Sequence, residues 1–412
     1  MPVLRNISTL ATCRADGGQG EIHAIPNAAL AWRGDTIQWV GPEAELPASD
    51  RDDEVLDAGG QLVIPGLIDC HTHLAFGGWR AEEFEQRLLG RSYLEIAAAG
   101  GGIASTVRAT RAAGEDELLG RAARVLEAVR ALGVTTVEAK SGYGLTLEDE
   151  LKLLRVYRRL AAMQPVRLVP TLLAAHTVPP EHRAHRERYV DLVVEEIIPR
   201  VGNEGLARCC DVFVEESAFS VAEGRRVLEA GKRAGLAPKV HADQLTASGG
   251  AELAAAVGAL SADHLECVTD GGIEAMRRAG VVAVSLPIAT IYLEQRPMPA
   301  RRLIDAGVPV AVATDFNPGS APSYDLPLAM MLACTLQRMT PAEVLKGATC
   351  YAAQAVGLAE RVGSLEPGKA ADFAVIDAPD VTHWLYHFRP NACVMTVIDG
   401  AVVWRGGAGN PT

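Results

Sequence analysis

The sequence predicts an α/β protein: a (β/α)8 TIM-like barrel with a small β-sandwich domain built from both chain ends. Three observations carry that expectation. Between residues 61 and 357, short β-branched runs alternate eight times with Ala-, Leu-, Glu- and Arg-rich stretches of helical period, the texture of a buried parallel sheet wrapped in helices. Residues 1–60 and 358–412 read instead as short strands punctuated by Gly, Pro and Asp. At 412 residues the chain also exceeds what one core normally supports, so a barrel with an accessory domain is the natural division.

The elements follow in order. "AALAWRG", "TIQWVG" and "EVLDAGGQLVIPG" are the N-terminal β-like runs, expected as small antiparallel strands. The candidate barrel strands are "LVIPGLIDCHTH", "VTTVEAKSGYG", "VRLVPTLLAAHTV", "CCDVFVEES", "PKVHADQL", "SADHLECV", "GVVAVSLP" and "VPVAVATDFNPG". Helical patterns such as "LEDELKLLRVYRRLAAM" lie between them, with apolar residues three and four apart. "GKAADFAVID" and "MTVIDGAVVWRG" return to β texture, so the two ends are expected to share one small domain. No internal repeat, heptad or low-complexity segment interrupts this order, and "AAAGGGIAS" is expected to be a mobile loop.

Composition narrows the function. Hydrophobic residues at 49% and charged residues at 22% fit a globular enzyme. A net charge of −12 leaves no basic stripe to neutralise phosphates, which argues against a nucleic-acid partner. It does not exclude an anionic small-molecule substrate, because one local Arg outweighs a diffuse field. The N-terminus "MPVLRNISTLATCRADGG" lacks the pattern of a signal peptide. The longest apolar run, "VVAVSLPIATIYL", is too short to span a bilayer and contains Pro287, so no membrane partner is expected. Eight cysteines without a C-x-x-C read as free thiols in a reducing cytoplasm. Cys70 lies between Asp69 and His71, and alternation points it away from the histidines as a packing residue.

The chemistry concentrates at strand ends, where a (β/α)8 barrel carries its catalytic groups. In "LIDCHTHLAFGGWR", His71 and His73 stand two positions apart, so both imidazoles project from one face of a strand. An H-x-H pair recurs by chance, and it gains weight only from its company. Tyr143 follows the second strand, His176 the third, His241 the fifth, His264 the sixth and Asp315 the eighth. His182 and His185 in "EHRAHRERYV" read as solvated, and His23, His383 and His387 fall outside the barrel. Each strand-end histidine alone could be a hydrogen-bonded core residue, and Asp315 a turn-former in "TDFNPG". Together, His71, His73, His241 and Asp315 offer three neutral nitrogens and one oxygen, a set that suits one catalytic Zn2+ or Fe ion with a position left for water. Strand four ends in "VFVEES" without the lysine that commonly bridges two metals in barrel hydrolases, which favours a single ion per chain.

With these residues in place, "PGLIDCHTHLAFGG", "VHAD", "TDFNPG" and "GSLEPGKAADFAVID" resemble the amidohydrolase superfamily. The set "HTHLAFGGWR", "KSGYGL", "LLAAHTVPPE", "VHADQL", "DHLE" and "ATDFNPG" more narrowly resembles the imidazolonepropionases of histidine degradation, over nearly the whole chain. The resemblance implies metal ligands at His71, His73, His241 and Asp315. It implies substrate contacts at Arg80, Tyr143, His176, Gln244, His264, Asn317, Gly319 and Ser320. Some members carry Glu where this chain has Gln244, and a glutamine cannot take a proton.

The expected reaction is therefore hydrolysis of 4-imidazolone-5-propanoate to N-formimidoyl-L-glutamate. Asp315 would carry the proton and His264 would orient the water or stabilise the oxyanion. Arg80 and Tyr143 would hold the propionate, and His176 the ring or its carbonyl. Asn317, Gly319 and Ser320 would supply donors to the new carboxylate. A homodimer is implied by the family. Two rivals remain: a purine or cyclic-amidine deaminase on the same barrel, against which Arg80 and "SGYG" argue, and a metal-free binding relative, against which the complete ligand set argues.

Overall fold

The computed structural model describes residues 1–47, 54–91, 95–96 and 100–406. The chain ends meet in one seven-stranded sheet. Its strands are β1 (Val3–Ala11), β2 (Ala24–Arg33), β3 (Thr36–Pro42) and β4 (Val55–Pro65) from the N-terminal side. Eight barrel strands follow: β5 (Leu67–Asp69), β6 (Val134–Lys140), β7 (Arg167–Ala175), β8 (Cys209–Val214), β9 (Ala237–Ala242), β10 (Ser261–His264), β11 (Val282–Ser285) and β12 (Val310–Val312). The C-terminal side returns β13 (Phe373–Ile376), β14 (Cys393–Ile398) and β15 (Ala401–Arg405) to the first sheet, in the order β15-β14-β13-β4-β1-β2-β3.

The barrel strands are parallel and pair in chain order from β5 to β12. Beyond the strand ends, the Asp315 amide donates to the His71 carbonyl at 3.0 Å and the His73 amide to the Phe316 carbonyl at 2.9 Å. These two bonds bring the first and last strands together, so the sheet is a nearly closed barrel. Apolar strand positions fill the core against helices such as Leu147–Met163, which covers the span expected of it. Thr146 caps that helix by accepting from the Asp149 amide, and Tyr157 on its buried face donates to the Lys140 carbonyl at 2.8 Å.

Four details differ from the sequence expectation. The run "LVIPGLIDCHTH" is two strands, not one: β4 carries the end sheet through residue 61 to Pro65, and β5 starts the barrel at Leu67. Gly66 makes the transition, because a Cβ there would lie 2.3 Å from the Thr135 side chain. The seven end strands form a single continuous ladder, and β1 pairs with β4 in parallel among otherwise antiparallel neighbours. β1 (Val3–Ala11) is a strand beyond the runs expected from the sequence, and two register shifts interrupt its pairing with β4. Of the "AAAGGGIAS" stretch, Ala97–Ala99 lie outside the described residues, while Ile103–Ser105 already belong to the helix Ile103–Ala112.

The end sheet has its own core of Leu4, Ile7, Leu30, Trp32, Phe373 and Val397. Arg167 on β7 pins this sheet to the barrel by pairing with Asp372 at 2.6 Å and Asp399 at 2.7 Å. All eight cysteines are free, and burial pushes the Cys70 thiol far up, as expected of a packing residue.

Candidate functional site

β5 is only three residues long, yet it fixes the geometry of the mouth. Asp69 accepts from the Thr314 amide at 3.1 Å and its hydroxyl at 2.6 Å, which locks the end of β5 to the turn after β12. Asp315, at φ 58°, then turns its carboxylate onto the two histidines just beyond the end of β5. Its Oδ1 lies 3.4 Å from His71 Nε2 and 3.5 Å from His73 Nε2. Burial would raise the Asp315 carboxyl, but the His71 and His73 imidazoles beside it override that and hold the group well below the usual carboxylate range.

His241 ends β9 with its ring 4.5 Å from that of His71. Burial drives its pKa down to about 3 and also lowers those of His73 and His176, so these rings stand neutral with lone pairs available. His264 reaches the same place by strained backbone. Alternation would send it away from the face that Asp263 uses, but φ is 82° at His264 and 68° at Leu265, and both consecutive side chains face His71. The ligand atoms of His71, His73 and Asp315 lie within 4.8 Å of one another, as do those of His71, His241 and His264. The structure thus brings together all four expected ligands as two overlapping triads that share His71, with His264 in the second.

Buried polar atoms are normally satisfied, yet among the described residues His71 Nε2, both ring nitrogens of His241, His73 Nδ1 and His264 Nδ1 have no hydrogen-bond partner. Orphaned imidazole nitrogens beside a carboxylate of low pKa are what a Zn2+ or Fe ion requires. The donor set fits the metal.

Around this centre stand the residues expected to hold substrate. Tyr143 is buried, its ring 5.6 Å from His73 and 5.4 Å from His176. His176 stacks on His73 at 5.0 Å, and with Nδ1 donating to the Gly142 carbonyl at 3.1 Å it presents Nε2 as an acceptor. Glu150 holds the intervening loop by accepting from the amides of Gly142, Gly144 and Leu145. Gln244 is half-buried on the loop after β9. Arg80 caps the helix Ala81–Leu88, and its buried Nε has no hydrogen-bond partner. Its guanidinium rests against Gly319, where a Cβ would fall 1.5 Å from Nη2.

Three further expected residues lie on the turn after Asp315. Asn317, Gly319 and Ser320 were expected to offer donors to a carboxylate. In the structure Asn317 Oδ1 accepts from the amides of Gly319 and Ser320, both at 2.8 Å, and its Nδ2 donates to the Asp315 carbonyl at 2.7 Å. The Ser320 hydroxyl lies 3.4 Å from Asp315 Oδ2. An Asn-Pro-Gly-Ser turn folds on its own polar groups, and through the Asn317 amide and the Ser320 hydroxyl it braces Asp315.

The sequence reading missed two groups. Glu215 accepts from the Leu245 amide at 2.8 Å, the Thr246 amide at 3.2 Å and the Ser248 hydroxyl at 2.8 Å, clasping the Gln244 loop. Glu138, Lys140, Asp211, Lys239 and Asp263 lie fully buried inside the barrel. Their signal was present: Glu138 and Lys140, like Lys239 and His241, sit two apart in otherwise apolar strands and so share the interior face.

Residues 62–403 match the sequence profile of the Amidohydrolase family. An imidazolonepropionase of Myxococcus xanthus is 51% identical, with 98% of this chain and 97% of that protein covered. That of Geobacillus kaustophilus is 49% identical, with 94% and 92% covered. Among solved structures, 5-methylcytosine deaminase from Klebsiella pneumoniae matches with a TM-score of 0.75 at 15% identity, over 100% of this chain and 99% of that one. Atrazine chlorohydrolase from Arthrobacter aurescens, solved with zinc, matches with a TM-score of 0.71 at 16% identity, over 98% and 95%. At such identities the two structures speak for the fold alone.

Proposed function

The chain belongs to the amidohydrolase family, with the imidazolonepropionases, and from that premise we propose that it hydrolyses 4-imidazolone-5-propanoate to N-formimidoyl-L-glutamate in histidine degradation. The observation that carries the substrate is Arg80: a guanidinium with a buried, unpartnered Nε, laid across Gly319 at the mouth that holds the His and Asp set. An anionic substrate gives that group the charge-assisted partner it lacks.

One Zn2+ or Fe ion per chain would be held by His71, His73, His241 and Asp315. When bound, it supplies Lewis acidity, lowering the pKa of water toward neutrality. The protein's own groups do the rest. Arg80 and Tyr143 hold the propionate and so set the ring above Asp315. His176 accepts from the ring through Nε2. Asp315 takes the proton as water adds to the ring carbonyl carbon, His264 stabilises the oxyanion, and the proton passes to the leaving nitrogen as the C–N bond breaks. Gln244 contacts substrate without exchanging a proton. Asn317, Gly319 and Ser320 shape the mouth by bracing Asp315 and seating Arg80.

The enzyme acts on a small anionic molecule, and we place it in the cytoplasm as a homodimer. No helix among the described residues is long and apolar enough to cross a membrane. The test is an absorbance assay with imidazolone propionate generated in situ from urocanate, run beside elemental analysis. Turnover that requires the ion supports the reading. Loss of a purine or cyclic-amidine amino group, with imidazolone propionate untouched, would replace it with the deaminase.

A further inference from the structure

One layer deeper than the histidines, five charged side chains are sealed inside the barrel. Lys140 Nζ lies 2.6 Å from Asp211 Oδ2, 3.1 Å from Glu138 Oε2 and 3.5 Å from Asp263 Oδ2. Lys239 Nζ lies 3.1 Å from the same Glu138 oxygen and 3.7 Å from the same Asp263 oxygen, and it donates to the carbonyls of Cys70 and Ala355, each at 3.2 Å. Thr171 and Ser261 hydroxyls bind the outer oxygens of Glu138 and Asp263.

Burial of so many charges is not a route to stability. Desolvation removes much of what pairing returns, and apolar side chains of the same volume commonly do as well or better. The cluster's other feature is where it ends. Asp263 Oδ2 meets His71 Nδ1 at 2.6 Å, and Asp211 Oδ2 lies 3.0 Å from His241 Nδ1. A carboxylate at Nδ1 keeps the ring's hydrogen there and turns Nε2 outward as an acceptor; at His71 the hydrogen bond to Asp263 leaves only Nε2 without a partner among the described residues, and at His241 the Asp211 carboxylate stands beside Nδ1 while Nε2 is likewise unpartnered. β6, β8, β9 and β10 are thereby tied through two ammonium groups to two ligand rings.

We propose that Lys140 and Lys239 are positioning residues for the metal: they fix Asp211 and Asp263 in the barrel interior, and those carboxylates aim His241 and His71. This rests on reading those histidines as ligands. It predicts that a lysine in contact with neither ring governs metal affinity.

The experiment titrates the metal-free full-length protein with Zn2+ against a chromogenic chelator, a readout independent of turnover, and records apo and zinc-loaded Tm. Lys140→Met is expected to bind Zn2+ about tenfold to a hundredfold more weakly, the usual effect of losing an outer partner of a ligand. Its zinc-induced rise in Tm should shrink accordingly. The pair Lys140→Met/Asp211→Asn, which leaves no unpaired carboxylate, and Asp263→Asn, which preserves shape, should show the same weakening and carry the test if the single variant does not fold. Parental affinity in these variants, with apo Tm lowered, makes the cluster a structural brace and overturns the proposal alone. A parent protein that binds no Zn2+ or Fe overturns the ligand assignment and this proposal with it.

Discussion

Replacing Arg80 tests the substrate class directly. Its Nε is buried without a partner among the described residues, and the guanidinium rests against Gly319 with no described carboxylate in a salt bridge to it. Truncation therefore removes an anion receptor and breaks no ion pair among the described residues. A desolvated Arg–carboxylate fork contributes roughly 2–4 kcal/mol relative to a truncated site. At about 1.36 kcal/mol per factor of ten, Arg80→Met should lower kcat/KM for imidazolone propionate by about 30- to 1,000-fold, with metal content unchanged. Lysine should rescue in part, keeping the charge and losing the fork. Gly319 sharpens the test, because Gly319→Ala must push the guanidinium off its seat. If that displacement is the whole effect, the two changes are not additive, and Arg80→Met/Gly319→Ala should be no slower than Arg80→Met alone. Normal turnover by Arg80→Met, or losses that add in the double variant, would refute the reasoning and bring the deaminase forward.

Other outcomes follow from the same geometry. Asp315→Asn, measured with metal restored, should lose about 10²- to 10⁴-fold in kcat, since the proton carrier is gone while the ring contacts remain; near-parental kcat would exclude Asp315 from the proton transfer. Gln244→Ala should raise KM and spare kcat, and abolished turnover with substrate binding intact would reassign the proton step to Gln244. Elemental analysis should find one ion per chain, and the chelated protein should be inactive with its circular dichroism unchanged, because the barrel core does not depend on the site; unfolding on chelation would make the metal structural. Gly66→Ala, whose Cβ would meet the Thr135 side chain at 2.3 Å, should cost about 1–3 kcal/mol and lower Tm without altering KM.

The alternation of apolar runs and helical patterns made the barrel legible, because parallel strands covered on both faces have little choice but to be apolar. The strand-end histidines were legible for the converse reason: a polar side chain at the end of such a run has only the mouth to face. Where one apolar stretch serves two sheets, that logic fails. "LVIPGLIDCHTH" carries no polar interruption at Gly66, and only the crowding of Thr135 against residue 66 shows why the chain passes there from one sheet to the next.

The buried charges were missed for a different reason. Sequence patterning treats a charge within a strand as a mark of solvent exposure, and apart from Glu138 with Lys140 the partners among Glu138, Lys140, Asp211, Lys239 and Asp263 are separated by tens of residues, so local windows miss the network. What the sequence does hold is parity. Glu138-x-Lys140, Lys239-x-His241 and Asp69-x-His71-x-His73 share one face in strands whose other residues are almost all apolar. Once a barrel is accepted and the histidines are placed inside it, parity places those charges inside as well, and buried charges must find partners there. The same rule marks its own exception. Asp263 and His264 are adjacent and cannot both face inward on a regular strand, yet both approach His71. The chain resolves the conflict with positive φ at His264 and Leu265, a strain that a β-rich sequence does not announce and that a site needing both side chains explains.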